Sequence, residues 1–166
     1  MSRDPLIYIG PQAVGQLVAY AQARAMRCFH LVADANTWAA LGERACAALR
    51  AQGLEVTPIL LRPLGESDLA ADETQIVQVL LPAVGQPERV YLAVGAGTIT
   101  DITRFASHRM GRPFISLPTA PSVDAYTSLN APLVIRRLKE TVNAQAPLAV
   151  FADLETLCRA PRPMVA

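Results

Sequence analysis

The chain has few of the residues that define several functional classes. Only 17% of its 166 residues are charged, and its formal net charge is +1. Lysines and arginines are scattered apart from short pairs such as Arg136-Arg137. Without a basic stripe to track a phosphate backbone, nucleic acid is not an expected partner. Cys28, Cys46 and Cys158 are odd in number and form no C-x-x-C pair, which argues against a disulfide scaffold or a zinc knuckle. Cys28 and Cys46 fall in a strand pattern and a helical pattern that should bury them, as suits a reducing cytoplasm. The two histidines, His30 and His108, stand far apart and match no ligand spacing, so no metal site is expected from them. No apolar run reaches membrane-spanning length, and the start Met1-Ser2-Arg3-Asp4 carries no signal-peptide pattern. A cytoplasmic protein without membrane contact is the expectation. Repeats and low-complexity linkers are also missing.

Apolar residues, at 52% of the chain, are plentiful, enough for a single domain over residues 1–166 with a substantial core. Apolar runs at Leu6 to Ile9, Phe29 to Ala33, Val56 to Leu61, Val90 to Val94, Phe114 to Leu117 and Leu148 to Ala152 are separated mainly by longer helical patterns. That alternation predicts an α/β fold: a Rossmann-like, doubly wound, mainly parallel sheet flanked by helices. Val14, Leu17, Val18 and Ala21 recur at helical spacing, as do Leu41, Ala45, Ala48 and Leu49, and then Ile76, Val77, Leu80 and Leu81. These faces should pack on the sheet. Gly53 and Gly111 stand where helix ends need a left-handed residue.

Two loops carry the chemistry. Val94-Gly95-Ala96-Gly97-Thr98-Ile99-Thr100-Asp101 reads as strand, glycine turn, helix, with Ile99, Ile102, Phe105 and Ala106 on the buried face and Arg104, Ser107 and Arg109 elsewhere. Such a turn aims backbone N–H groups and the positive end of a helix at an anion, and Gly95 and Gly97 allow a pyrophosphate to approach closely. A plain βα turn without ligand remains the other reading, since Thr100 replaces the third glycine of G-x-G-x-x-G. The second loop, Leu117-Pro118-Thr119-Ala120-Pro121-Ser122-Val123-Asp124-Ala125-Tyr126-Thr127-Ser128, is rich in small hydroxyls and carries one carboxylate. Ligands of open α/β sheets bind beyond the carboxyl ends of the strands, so both loops should share one edge. Asp34 ends the second apolar run, either capping the next helix or meeting a cofactor ribose. Asp153 reads as the cap of a helix starting at Leu154. The polar stretch between Ser128 and Pro147 is an excursion between strands, read either as a solvated hairpin or loop or as a source of a basic residue for an anionic substrate.

Together the strand end Val32-Ala33-Asp34, the loop Gly95 to Asp101, the stretch Pro118 to Ser128 and the segment Phe151-Ala152-Asp153 through Ala160-Pro161 resemble the glycerol and glycerol-1-phosphate dehydrogenase branch of the superfamily. That superfamily also contains iron-containing alcohol dehydrogenases and dehydroquinate synthases. The resemblance spans essentially the whole chain. Ala96 departs from the middle glycine of the family loop. The G-T-G-S-E pattern of the alcohol dehydrogenases and the lysine- and asparagine-rich segment of the synthases are missing. The resemblance implies NAD or NADP as cofactor, with Gly95 and Gly97 to Asp101 (Gly97, Thr98, Ile99, Thr100, Asp101) at the pyrophosphate and Thr119, Ala120, Pro121, Ser122 and Ser128 along the cofactor. By the same carry-over Asp34 faces the adenosine ribose and Asp124 contacts a small polyol or polyol phosphate. Full-length relatives continue into a helical domain whose aspartate and two histidines bind zinc, iron or nickel. That C-terminal domain is not in these 166 residues, so the expectation is an N-terminal cofactor domain with no catalytic or metal residue of its own. The competing expectations are a non-catalytic nucleotide-binding or interaction module, whose uncovered surface would favour homo-oligomers, and a dehydroquinate synthase-like lyase fragment.

Overall fold

The structure, a computed structural model, describes residues 4–63, 68–86, 88–122 and 126–161, so Asp124 lies outside the described residues. The apolar runs become six parallel strands: β1 (Leu6–Gly10), β2 (Cys28–Ala33), β3 (Glu55–Leu60), β4 (Val90–Val94), β5 (Phe114–Leu117) and β8 (Ala149–Asp153). Their order across the sheet is β1-β8-β5-β4-β2-β3. From β2 the chain steps outward to β3, then crosses back to β4 and proceeds the other way through β5 to β8. The reversal opens a crevice beyond the carboxyl ends of β2 and β4.

Both faces of the sheet are covered, which is why the strands read as continuous apolar runs. Phe29, Leu31 and Ala33 of β2 join Leu92, Val94, Ile115, Leu117 and Phe151 under α1 (Ala13–Ala23) and α3 (Glu43–Ala51). On the opposite face Val32, Ile59, Tyr91, Ala93 and Phe114 pack against α4 (Glu73–Ala83) and α5 (Gly97–Arg109). The helix leading into α3 begins as one turn, α2 (Ala35–Thr37), and widens into a π turn over Trp38–Gly42. Gly53 and Gly111 follow α3 and α5 with φ of 73° and 65°, the left-handed closures expected there.

Three details differ from the sequence reading. On α4, Val77 and Leu81 are exposed while Gln75, Ile76, Val79 and Ala83 are buried; the helix is rotated so that Gln75 reaches inward to the Arg62 carbonyl. On α5, Arg104 and Ser107 are buried, because the excursion after Ser128 folds over them as an antiparallel hairpin, β6 (Asn130–Ile135) and β7 (Leu138–Asn143). Cys28 is half-buried, whereas Cys46 is in the core. The last element, α6 (Leu154–Cys158), is capped by Asp153, whose carboxylate accepts from the Thr156 amide at 3.0 Å.

Candidate functional site

Strands β4 and β5 stay joined beyond their ends: the Gly95 amide donates to the Leu117 carbonyl at 3.1 Å and the Thr119 amide to the Gly95 carbonyl at 3.3 Å. The glycine turn and the hydroxyl-rich loop are therefore held side by side at one edge. Gly95 is required by packing, since a Cβ there would lie 2.5 Å from the Ile99 side chain, and its absence lets α5 sit down on the strand end. The first residue before α5, Ala96, offers no side-chain cap. The first-turn N–H groups have no intrahelical acceptors and remain free to meet an anion at the positive end of the helix.

Two grooves of about 590 Å³ each run along this edge. One is lined by Ala96, Thr98 and Ile99 together with Leu61, Arg62 and Asp68. The other is lined by Thr119 and Ala120 with Thr156, Arg159 and Pro161. Asp34, Asn36 and Thr37 line both, so the grooves join at the switch point. Their volumes fall in the range of small-molecule sites.

Asp34 caps the helix that follows it, the first of its two readings. Its Oδ1 accepts from the Thr37 amide at 2.8 Å, and the Thr37 hydroxyl accepts from the Asp34 amide at 3.0 Å, a closed capping box. Among the described residues nothing bonds Oδ2, which leaves an acceptor at the junction of the grooves.

The other sequence candidates separate into two groups. Thr98 and Ile99 line the first groove, and Thr119 and Ala120 the second. Thr100 and Asp101 turn away from both. Thr100 is 1% exposed and, among the described residues, its hydroxyl has no partner. The Asp101 carboxylate meets the Arg104 guanidinium at 2.7 Å. Burial pushes Asp101 up to about 6, with Arg104 pulling in the other direction. Pro121 borders an apolar groove of about 300 Å³ shared with Ile7, Ile9, Tyr126 and Leu157. The Tyr126 hydroxyl, beside Ser122, donates to the Ala120 carbonyl at 2.6 Å. Ser128 accepts from the Asn130 amide at 2.9 Å and shapes the approach to the hairpin.

The sequence reading missed Arg104 and Arg62. Buried Arg104 donates to the Asn130 carbonyl at 2.7 Å and the Tyr126 carbonyl at 3.1 Å, pinning the end of the hydroxyl-rich loop to the cradle helix. Nothing in a helical pattern distinguishes it from a solvated arginine. Arg62 had a readable signal, its place just beyond a strand end.

No group of three or more His, Cys, Asp or Glu side chains among the described residues could hold a metal. His30 is fully buried in β2, beside the Tyr91 ring. No helix among the described residues is long and apolar enough to cross a membrane.

The model of the family described as iron-containing alcohol dehydrogenase matches residues 8–161. A glycerol-1-phosphate dehydrogenase [NAD(P)+] of Geobacillus thermodenitrificans is 46% identical over 160 residues, which are 96% of this chain and 39% of that protein. The chain thus spans about two fifths of the length of the curated relatives it matches. Among solved structures, glycerol dehydrogenase from Schizosaccharomyces pombe superposes with a TM-score of 0.77 at 23% identity, covering 97% of this chain and 40% of that one. A 2-deoxy-scyllo-inosose synthase complexed with carbaglucose-6-phosphate, NAD+ and Co2+ gives 0.80 at 16% identity, covering 93% and 44%. Both likenesses are of fold.

Proposed function

Since the chain belongs to the iron-containing alcohol dehydrogenase family, we propose that it is the dinucleotide-binding part of an NAD(P)-dependent glycerol-1-phosphate or glycerol dehydrogenase. The observation that carries this reading is the junction of two grooves on Asp34, beside the uncapped start of α5. The adenosine half lies in the groove bounded by Thr119 and Thr156. Its ribose hydroxyls donate to Asp34 Oδ2, and the pyrophosphate rests on the N–H groups of Gly97, Thr98 and Ile99, where dipole and orphan donors act together. The nicotinamide half is then directed toward Ser122 and Asp124, with Asp124 accepting from a hydroxyl of a small polyol or polyol phosphate. The bound nicotinamide supplies the hydride acceptor. The described residues do not furnish the ligands of a metal, so no step is assigned to one.

Titration with NADH and NADPH, followed by nicotinamide fluorescence and thermal stability, tests this. Binding is expected in the wild type, lost in Gly97→Val, where a branched side chain blocks the cradle, and kept in Asp124→Ala. Absence of binding to either nucleotide overturns the proposal.

A further inference from the structure

Arg62 follows β3, at the far wall of the groove that holds Asp34. Strand register places it there: Ala33 pairs with Leu60, and the Leu61 amide continues the ladder by donating to the Ala33 carbonyl at 2.8 Å. Asp34 therefore stands opposite Leu61, with Arg62 one residue beyond on a strand about 5 Å away, well within the reach of an arginine side chain.

Two glutamines fix the base of this side chain. The Arg62 amide donates to Gln78 Oε1 at 3.0 Å, while its carbonyl accepts from Gln75 Nε2 at 3.1 Å and Gln78 Nε2 at 2.9 Å. Gln75 is 2% exposed, a burial that costs free energy unless its amide is paired. The backbone of Arg62 is thus clamped on both sides. Its guanidinium is different: among the described residues it takes part in no hydrogen bond or ion pair, and it is exposed at the groove. Among the described residues no side chain pairs with that charge.

We propose that Arg62 is a specificity-determining residue, which reaches across the junction at Asp34 to the 2′-phosphate of a phosphorylated dinucleotide whose adenosine lies in the adjoining groove. The proposal rests on the dinucleotide reading above and extends it to the choice between NADH and NADPH. Asp34 favours free ribose hydroxyls and repels a phosphate at the 2′ position, and Asp68 adds a second carboxylate to the same groove. Arg62 offsets that repulsion with a planar fork of donors suited to phosphate oxygens, so the groove admits both cofactors.

The test is equilibrium titration of the wild-type chain, Arg62→Gln and Arg62→Lys with NADH and NADPH. Arg62→Gln should weaken NADPH by roughly ten- to a hundred-fold, the range of a charge-assisted hydrogen bond, and leave NADH unchanged. Arg62→Lys should restore part of the NADPH affinity, and the NADPH loss in Arg62→Gln should shrink at high salt. Equal loss of both cofactors, an unchanged NADPH-to-NADH ratio, or wild-type binding of NADH without NADPH each overturns this role while the dinucleotide reading stands. Failure of the wild type to bind either cofactor removes both.

Discussion

His30 lies in β2 with both ring nitrogens buried and without hydrogen-bond partners among the described residues. Burial lowers its pKa to about 4, helped by Arg89 and opposed by Glu55. The unfolded chain therefore takes up a proton that the folded chain refuses. Stability contributed by the neutral ring is lost as pH falls from 6.5 toward 4, at up to about 1.4 kcal/mol per pH unit. Asp101 acts in the opposite sense. Its folded pKa of about 6 stands above the unfolded 3.8, so its protonation favours the fold at low pH and that contribution is lost as pH rises toward 6. Between pH 4 and 6 the two offset each other. His30→Phe should make the protein more stable as pH drops through that window, and Asp101→Asn should steepen its acid sensitivity. Urea midpoints measured at the two ends of the window check both; identical pH profiles for the three proteins would remove the assignment.

The junction of α5 with the β6–β7 hairpin depends on Arg104, whose side chain is 1% exposed and bonded to Asp101 and two loop carbonyls. Arg104→Met keeps the packing volume but leaves a buried carboxylate and two carbonyls without their donor. The expected cost is about 3–5 kcal/mol by urea unfolding. Without its cation Asp101 is driven further up, so the penalty should be larger at pH 8 than at pH 5. A variant with wild-type stability would show that the loop is held by other contacts. This element also marks the limit of what the sequence discloses. Strands β4 and β5 were legible to the residue, because a parallel strand covered on both faces is apolar throughout. The excursion was legible as a hairpin or loop, but its docking on α5 was not. Its turn is made by Arg136 and Arg137 at φ of 51° and 66°, a conformation that sequence reasoning associates with Asn-Gly. What holds the turn is non-local: the Arg136 amide donates to Glu73 at 2.6 Å and the Val134 amide to the Ala71 carbonyl at 2.8 Å. Arg104 and Ser107 looked like a solvent face of α5 for the same reason. Burial of a polar helix face by an element 26 residues away leaves no periodic trace. At the site, Asp34 and the two loops were legible because chain order places them at strand ends. The clamp on Arg62 was not, since it depends on the rotation of α4.

At the scale of the whole molecule the sheet has one edge that, among the described residues, is neither covered nor charged. Among the described residues β1 pairs only with β8, and Leu6, Ile7 and Ile9 are 45%, 57% and 64% exposed. Ile7 and Ile9 share a face with Val150 and Ala152 in the register of β1 and β8, and all four border the apolar groove of about 300 Å³. An unpaired strand with free backbone groups and an adjoining apolar patch favours association, and no Lys or Pro within β1 opposes it. The 166-residue chain should therefore associate reversibly as its concentration rises. Ile9→Lys places a charge in the middle of the edge, where desolvating it against a second copy would be unfavourable. Because Ile9 is exposed, its replacement should leave stability within about 0.5 kcal/mol. Sedimentation of the two proteins over a concentration series separates the possibilities: loss of association in Ile9→Lys with unchanged NADH affinity places the contact at this edge, away from the two grooves that meet at Asp34. A monomeric wild type at every concentration would mean that the patch is too small to hold a partner. Association that persists in Ile9→Lys would move the contact elsewhere, with the exposed Val77, Leu81 and Val84 of α4 and the turn after it as the next surface to alter.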